Sequence, residues 1–223
     1  MRHADVSPVF LRWLLETVTK AGRVLDLGCG DGRLAFALAP HAAEVAGLDR
    51  DAEAIQRAGG RAEAEGVSNL RFVVADVEAV EYDDARWGGR PDTLTAHLCM
   101  SDAMIERAGR ALAPGAIFAA VALHRNQWKE TGIPSRFAYT EDSLTRGLEK
   151  AGFEIIHGRV EEEVLVFRSP EEAEGVLLGD GGGDALKRRG RREEGLRAHL
   201  RGGGKEITRK GHLLFLARKS GLA

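Results

Sequence analysis

The sequence predicts an α/β fold: a doubly wound, mostly parallel sheet of seven strands with helices on both faces. Short apolar runs that end at a polar residue alternate along the chain with runs of helical periodicity. This alternation is typical of parallel strands joined by helices. The chain of 223 residues is long enough to bury a full core, so residues 1–223 are predicted to form one domain.

The individual elements follow from the same pattern in chain order. Strands are expected at 23–27, 44–48, 70–75, 92–97, 117–123, 153–167 and 207–218. Helices are expected at 8–20, 34–38, 51–65, 102–112 and 141–151, the last capped by Thr140 and stopped by Gly152. The helix at 51–65 is weakened by Gly59-Gly60.

A run of glycines joins the first strand to the next helix. Gly28, Gly30 and Gly32 follow the apolar strand at the spacing G-x-G-x-G. A strand, a glycine turn and a helix N-terminus form a pocket in which backbone N–H groups face a ligand. Asp26 lies near the end of this buried strand, where a carboxylate is costly unless it is paired or hydrogen-bonded.

Two common nucleotide motifs do not fit this turn. A dinucleotide-binding turn, G-x-G-x-x-G, needs a glycine where the chain has Arg33, and no Gly-Lys-Ser/Thr of a P-loop follows. A loop with no diphosphate to hold suits a ligand with a small carboxylate end and a cationic centre.

Polar side chains also mark the ends of five successive predicted strands. They are Asp26, Asp49, Asp76, His97 and His124. Because the carboxyl ends of parallel strands meet at one edge of a sheet, where ligands bind, these residues are candidates for one site.

In these motifs the chain resembles the class I S-adenosylmethionine-dependent methyltransferases. That family's first motif is an acidic strand end followed by G-x-G-x-G, and its second is an acid at the end of strand two, here Asp49. The run from Leu112 to Gly115 resembles the family's L-x-P-G-G turn, with Ala116 in place of the second glycine. The resemblance covers roughly residues 20–125 and implies a Rossmann-like fold that binds S-adenosyl-L-methionine and releases S-adenosyl-L-homocysteine.

The resemblance also implies roles for individual residues. Asp26, Gly28, Cys29, Gly30 and Gly32 would hold the methionine end, with Asp26 acting through the cofactor ammonium or a bound water. Asp49 would hold the ribose, Asp76 and Val77 would hold the adenine, and Arg50 is a further candidate contact to the cofactor. An acid at Asp49 can accept both ribose hydroxyls, as in dinucleotide sites. The alternative is that Asp49 caps the following helix, although Asp51 could fill that position.

His97 and His124 are the candidate catalytic residues. A histidine can act as a general base on a phenol or hydroxyl acceptor near neutral pH. Either one could instead be a core or capping histidine, since alignment alone supplies much of the acceleration of methyl transfer. Further candidate contacts to the acceptor are Ser101, Trp128, Arg136 and Tyr139.

The expected function is methyl transfer from S-adenosylmethionine to an unidentified small-molecule O or N acceptor. The alternatives are an RNA or protein methyltransferase, a non-catalytic regulator that binds S-adenosylmethionine, and an NAD oxidoreductase, which Arg33 disfavours. Methylation of base amino groups usually shows Asn/Asp-Pro-Pro-Tyr, where this chain has His97-Leu98-Cys99-Met100. Cys99 also lacks the preceding proline common in carbon-5 cytosine methylation.

Residues 168–205 are predicted to be a helical insertion before the last strand. Helical patterns cover 170–178 and 184–200, and glycine runs lie at 181–183 and 202–204. The segment could close as a lid or be a static surface addition. Its basic residues between 187 and 192 are interpreted as a solvated helix face rather than an anion or RNA patch.

Composition sets the remaining expectations. A net charge of −2 gives no reason to expect nucleic acid as a partner, and no apolar stretch approaches the ~20 residues of a membrane helix. The N-terminus lacks a signal-peptide core, and Cys29 and Cys99 are predicted to be free thiols, so a cytoplasmic protein is expected. No Cys/His cluster has zinc spacing, so no metal is expected, and the oligomeric state stays open.

Overall fold

The computed structural model describes residues 6–178 and 190–221, and eight strands lie in this part of the chain. They are β1 (Arg23–Leu27), β2 (Glu44–Asp49), β3 (Leu70–Val74), β4 (Thr93–His97), β5 (Ile117–His124), β6 (Ala138–Tyr139), β7 (Phe153–Val166) and β8 (Glu206–Lys219). Their order in the sheet is β3-β2-β1-β4-β5-β8-β7, and β6 pairs with β5 outside this path.

The described helices fall between these strands and before β1. They are α1 (Pro8–Thr17), α2 (Arg33–Leu38), α3 (Ala52–Ala64), α4 (Asp102–Ala111), α5 (Glu141–Lys150), α6 (Pro170–Leu178) and α7 (Gly190–Arg201). Short 3-10 helices occupy Ala39–His41, Ala85–Trp87 and Lys129–Thr131.

Strand pairing confirms the predicted mostly parallel α/β sheet. The pairs β1 with β2, β1 with β4, β2 with β3, β4 with β5 and β5 with β6 are all parallel. Backbone hydrogen bonds place Lys219, at the end of β8, beside Gly115 and Ala116 at the start of β5, so β8 runs antiparallel to β5. The strand missed from the sequence is β6, whose two residues are too short to show a period.

The chain divides into two compact units. The larger unit comprises Val6–Ala122, Glu141–Arg159 and Leu214–Ala223, and the smaller unit comprises Leu123–Thr140 and Val160–Leu213.

The larger unit has its own core. One cluster joins Phe10 and Leu14 of α1 and Leu38 of α2 to Val24 and Val45 of the strands, so these helices cover one face of the sheet. Alternate strand residues turn to the opposite face. There the ring of Phe118 lies 5.6 Å from that of Phe153 and 5.2 Å from that of Phe215.

The smaller unit is packed around a second cluster. Its buried members are Trp128, Phe167, Ala173, Leu177, Leu196, Leu200 and Ile207. Gly195 of α7 lies so close to the 3-10 helix Lys129–Thr131 that a Cβ there would overlap the backbone of Thr131. The described parts of the predicted insertion, α6 and α7, therefore form part of this packed unit.

The structure refines several of the predicted element boundaries. Helix α1 ends at Thr17 rather than at residue 20, because Val18 takes an extended backbone with φ −71° and ψ 132°. Asp51 is the N-cap of α3 and accepts from the N–H groups of Glu53 and Ala54, so the capping alternative for Asp49 is wrong. The start of the helix predicted at 184–200 lies outside the described residues, and α7 extends to Arg201.

Candidate functional site

The loop of residues 28–32, called here the glycine loop, lies close to its neighbours. Gly28 and Gly32 have φ values of +69° and +77°. A Cβ on Gly28 would lie 2.5 Å from Sγ of Cys99, and one on Gly32 would overlap the ring of Phe72. Positive φ and close approach together require glycine at both positions. A Cβ on Gly30 would meet no atom within 4 Å, so the loop has an open side at that residue.

The Asp49 carboxylate connects the glycine loop to the start of α3. Its Oδ2 accepts the N–H of Gly30 at 2.8 Å, and its Oδ1 accepts the N–H of Asp51 at 2.9 Å. Asp49 is half-buried at the last position of β2. Because each carboxylate oxygen can accept more than one hydrogen bond, both retain capacity for donors of a ligand. The neighbouring Arg50 is exposed.

Asp26 is a buried carboxyl on β1, with 1% of its surface exposed. Burial raises the pKa of Asp26 to about 7, a hydrogen bond from the Ala35 backbone opposes that shift, and the negative charge of Asp49 adds to it. Within the described residues, Oδ2 of Asp26 has no hydrogen-bond partner. The site therefore contains a deeply buried oxygen that can accept from a donor or face a cation.

The loop after β3 is held by side chains that the sequence analysis missed. Asp76 is exposed, and its Oδ1 accepts the N–H of Glu78 at 2.9 Å. Val77 is buried, and its carbonyl accepts the hydroxyl of Tyr82 at 2.7 Å. Arg107 of α4 donates to the carbonyl of Glu78 at 2.9 Å. Hydrogen bonds from Tyr82 and Arg107 to the carbonyls of Val77 and Glu78 thus hold the backbone next to Asp76.

Cys29 and Cys99 are free thiols, as predicted. Burial, reinforced by the negative charges of Asp26 and Asp49, raises the pKa of the Cys29 thiol well above its usual range. Burial and the same two carboxylates raise the pKa of Cys99 to about 11. Both groups are neutral thiols at neutral pH, which agrees with the sequence argument against Cys99 as a nucleophile.

The two candidate catalytic histidines end β4 and β5. His97 is half-buried and precedes Leu98, which has a φ of +58°. His124 is 6% exposed, and its Nδ1 lies 3.4 Å from the N–H of Asn126 and 3.7 Å from Oε1 of Glu162. Glu162 lies on β7, and nothing local in the sequence indicated that it would meet His124.

The predicted acceptor contacts differ in their local surroundings. Ser101 is the N-cap of α4 and accepts the N–H of Met104 at 3.4 Å. Trp128 is buried in the cluster of the smaller unit, and Arg136 is exposed with its guanidinium 4.4 Å from the centre of the Phe137 ring. Tyr139 is buried on β6.

The predicted residues divide between the two units. Every predicted cofactor residue, together with His97 and Ser101, belongs to the larger unit. His124 and the other three predicted acceptor contacts belong to the smaller unit.

The insertion's basic residues are only partly described. Residues 187–189 and the side chain of Arg191 lie outside the described part. Arg192 is 7% exposed, and its Nε donates to the carbonyl of Ile133 at 3.1 Å. At this position the prediction of a solvated helix face is wrong, because the guanidinium is used inside the smaller unit.

No group of three or more His, Cys, Asp or Glu side chains is placed to hold a metal ion in residues 6–178 and 190–221. Over the same ranges, no helix has the length and apolar character needed to cross a membrane.

The raised pKa of Asp26 predicts a pH-dependent stability. The folded-state pKa of about 7 lies above the ordinary value of 3.8, so the stability contributed by neutral Asp26 is complete below about pH 4 and is lost as the pH rises towards 7. We expect Asp26→Asn to raise the free energy of unfolding of the ligand-free protein at pH 8 by on the order of 2–4 kcal/mol. Urea denaturation at pH 8 and pH 5 should show a smaller difference at pH 5. The exposed Asp76→Asn is the control, and an equal effect of Asp26→Asn at both pH values would contradict the assignment.

The Arg107 contacts predict an ordered loop after β3. Arg107→Ala should speed amide hydrogen exchange in residues 77–82 by roughly tenfold or more, because charged donors to two backbone carbonyls and to Glu81 are lost. Arg110→Ala is the matched control, since Arg110 lies on the same helix and its guanidinium lies 3.7 Å from Oε1 of Glu81, a longer contact than that of Arg107. Equal exchange in the two variants would show that Arg107 does not order the loop.

Known proteins are similar to this chain in sequence and in fold. The chain matches a family described as "Methyltransferase domain" over residues 18–152. It is 31% identical to the ubiquinone biosynthesis O-methyltransferase of Coxiella burnetii over 127 residues, 54% of this chain and 52% of that protein. The chain thus spans about half the length of this curated relative.

Two solved structures show the same fold. The YcgJ protein from Bacillus subtilis superimposes with a TM-score of 0.69 at 17% identity, covering 96% of this chain and 99% of that one. A phosphoethanolamine N-methyltransferase 2 from Haemonchus contortus, in complex with S-adenosylhomocysteine, gives a TM-score of 0.60 at 18% identity, over 96% and 52% of the two chains.

The family match covers more than half of the chain, and it agrees with the G-x-G-x-G loop and with the acidic residues at the ends of β2 and β3. The chain therefore belongs to the S-adenosylmethionine-dependent methyltransferase family.

Proposed function

We propose that this methyltransferase acts on a small-molecule O or N acceptor and holds its cofactor at the ends of β1, β2 and β3. The observation that carries the proposal is the Asp49 carboxylate bound to the Gly30 N–H, beside the unpartnered oxygen of Asp26. The O-methyltransferase of C. burnetii and the N-methyltransferase of H. contortus support an acceptor of this class.

The residues present fit S-adenosylmethionine. The free lone pairs of Asp49 suit the two ribose hydroxyls, and Oδ2 of Asp26 suits the ammonium of the methionine end. Asp76 is proposed to accept from the adenine amino group, and the N–H of Val77 to meet the ring. When bound, the cofactor supplies an electrophilic methyl group on a sulfonium. The protein's contribution is alignment, with the open side of Gly30 admitting the methionine end.

His97 and His124 are proposed as bases for the acceptor. If His124 takes the proton of a hydroxyl acceptor, the Glu162 carboxylate 3.7 Å from Nδ1 stabilises the positive imidazolium that results. Its weak contact to the Asn126 N–H, at 3.4 Å, can give way in that step. Ser101, Trp128, Arg136 and Tyr139 remain proposed acceptor contacts.

The alternative of an RNA acceptor has less support. A phosphate backbone is bound by exposed cationic side chains, whereas Arg192 is buried and donates to a backbone carbonyl. The family membership also sets aside an NAD oxidoreductase.

Cofactor binding should depend on Asp49. We expect Asp49→Ala to weaken S-adenosylhomocysteine binding by about 10- to 100-fold, because hydrogen bonds to a charged acceptor are lost. Isothermal titration calorimetry measures this directly. Asp51→Ala is the control: it should cost about 1 kcal/mol of stability through the lost α3 cap, yet leave affinity within about twofold. Tighter binding of NAD than of S-adenosylhomocysteine would contradict the proposal.

Methyl transfer should depend on the histidines. With tritiated-methyl S-adenosylmethionine and a panel of phenols and small amines, loss of the base in His97→Ala or His124→Asn should lower turnover by about 10²–10⁴-fold while cofactor affinity is unchanged. Glu162→Gln should lower turnover less, and Glu163→Gln, whose carboxylate pairs with Arg209 at 2.6 Å, should leave it unchanged.

Two results would count against the acceptor proposal. Wild-type turnover in both histidine variants would leave alignment alone as the source of catalysis. Label that enters only the RNase-sensitive or protease-sensitive fraction of a cell extract would identify a macromolecular acceptor instead.

A further inference from the structure

Thr95 on β4 lies beside Asp26 on the neighbouring strand β1. The two residues are direct partners in the parallel register of β1 and β4, so their side chains project from the same face of the sheet. Both are fully or almost fully buried, with 0% and 1% of their surfaces exposed. Within the described ranges, Oγ1 of Thr95 and Oδ2 of Asp26 both lack a hydrogen-bond partner.

Two buried oxygens without hydrogen-bond partners destabilise the fold unless they hydrogen-bond to each other, to water or to a ligand. When the carboxyl is ionised, its oxygen accepts hydrogen bonds and cannot donate them. The Thr95 hydroxyl can donate one. Their chemistry is therefore complementary. The flanking residues in the same row are small: Gly47 on β2 pairs with Asp26, and Ala119 on β5 pairs with Thr95.

Apart from the Ala35 N–H, the other groups named around Asp26 give its negative charge little stabilisation. Asp49 on β2 is itself negative, and the buried thiols of Cys29 and Cys99 stay neutral. On the helix side, α2 contributes the Ala35 N–H, and the rest of its buried surface is apolar. Among these described neighbours, Thr95 is the side chain able to donate to the carboxylate.

We propose that Thr95 is a positioning residue for Asp26: its hydroxyl donates a hydrogen bond, directly or through one water molecule, to the Asp26 carboxylate that forms when the cofactor binds. This inference rests on the proposed function in one respect only, namely that the ammonium of the methionine end lies at Asp26.

The proton balance follows from the burial of Asp26. In the ligand-free protein, burial raises the pKa of the Asp26 carboxyl to about 7, so the carboxyl is partly protonated near neutral pH. An arriving ammonium favours the ionised form, so the pKa falls and the proton passes to the solvent. Cofactor binding therefore releases the proton from those molecules in which Asp26 is protonated, and affinity falls as the pH drops through the pKa of Asp26.

The first test needs no cofactor. Carboxyl-¹³C NMR of aspartate-labelled protein, with the Asp26 signal assigned from Asp26→Asn, should show a wild-type midpoint raised above the ordinary value of 3.8. Thr95→Val should raise that midpoint by about one pH unit, because the ionised form loses a donor. Thr95→Ser keeps the hydroxyl and should restore it. Thr93→Val is the matched control, since Thr93 lies two residues earlier on the same buried face of β4. An unshifted midpoint in Thr95→Val would overturn the inference.

The second test measures the link to binding. Calorimetry with S-adenosylhomocysteine in two buffers of different ionisation enthalpy, from pH 6 to 8.5, should show proton release in the wild type. In Thr95→Val the pH at which affinity stops rising should move upward by the same amount as the NMR midpoint, and Asp26→Asn should abolish the dependence. A pH profile unchanged in Thr95→Val would overturn the link.

The two tests separate the inference from the proposed function. A shifted midpoint in ligand-free Thr95→Val supports the role of Thr95, even if S-adenosylhomocysteine fails to bind and the proposed cofactor site is wrong. If Thr95→Val does not fold, Thr95→Ala, which also lacks the hydroxyl, supplies the test, and an Asp26 midpoint in Thr95→Ala equal to that of the wild type would overturn the inference.

Discussion

The hydrogen bonds of the Asp49 carboxylate are the constraint on which the candidate site depends. One oxygen holds the Gly30 N–H and the other holds the Asp51 N–H, so a single side chain fixes the glycine loop, the end of β2 and the start of α3 relative to one another. Strand β2 also holds the glycine loop through its backbone, since the N–H groups of Gly28 and Cys29 both donate to the Leu48 carbonyl. A loop held at these points presents its open side at Gly30 without further ordering, which lowers the entropic cost of binding a ligand.

The same region contains two acidic side chains beside each other, one of them buried. Asp26 and Asp49 are both acidic, and burial leaves the first of them with a raised pKa. A fold tolerates such a cost where a ligand recovers it, and a cationic group is the ligand that would do so here. The neutral thiols of Cys29 and Cys99 fit this interpretation, because they fill space beside the loop without adding charge at neutral pH.

The smaller unit shows a different organisation. Its helices α6 and α7 are held by a continuous apolar cluster and by ion pairs such as Arg197 with Glu174, at 2.6 Å. Its strands are tied by pairs such as Lys210 with Glu161, at 2.7 Å. Side chains that could serve chemistry, above all His124 and Glu162, lie among these structural contacts. Packing of this kind favours the static alternative for the described parts of the insertion.

The sequence by itself determined the α/β class, nearly all strands and helices, the glycine loop and the polar residues at the strand ends. These depend on local periodicity and on glycine spacing, which the chain carries within a few residues. Only the tertiary structure decided that Thr95 faces Asp26, that Arg107 and Tyr82 hold the loop after β3, and that Glu162 meets His124. Each of these pairings joins segments far apart in the chain, and strand register and helix packing set them through the whole core rather than through any local motif.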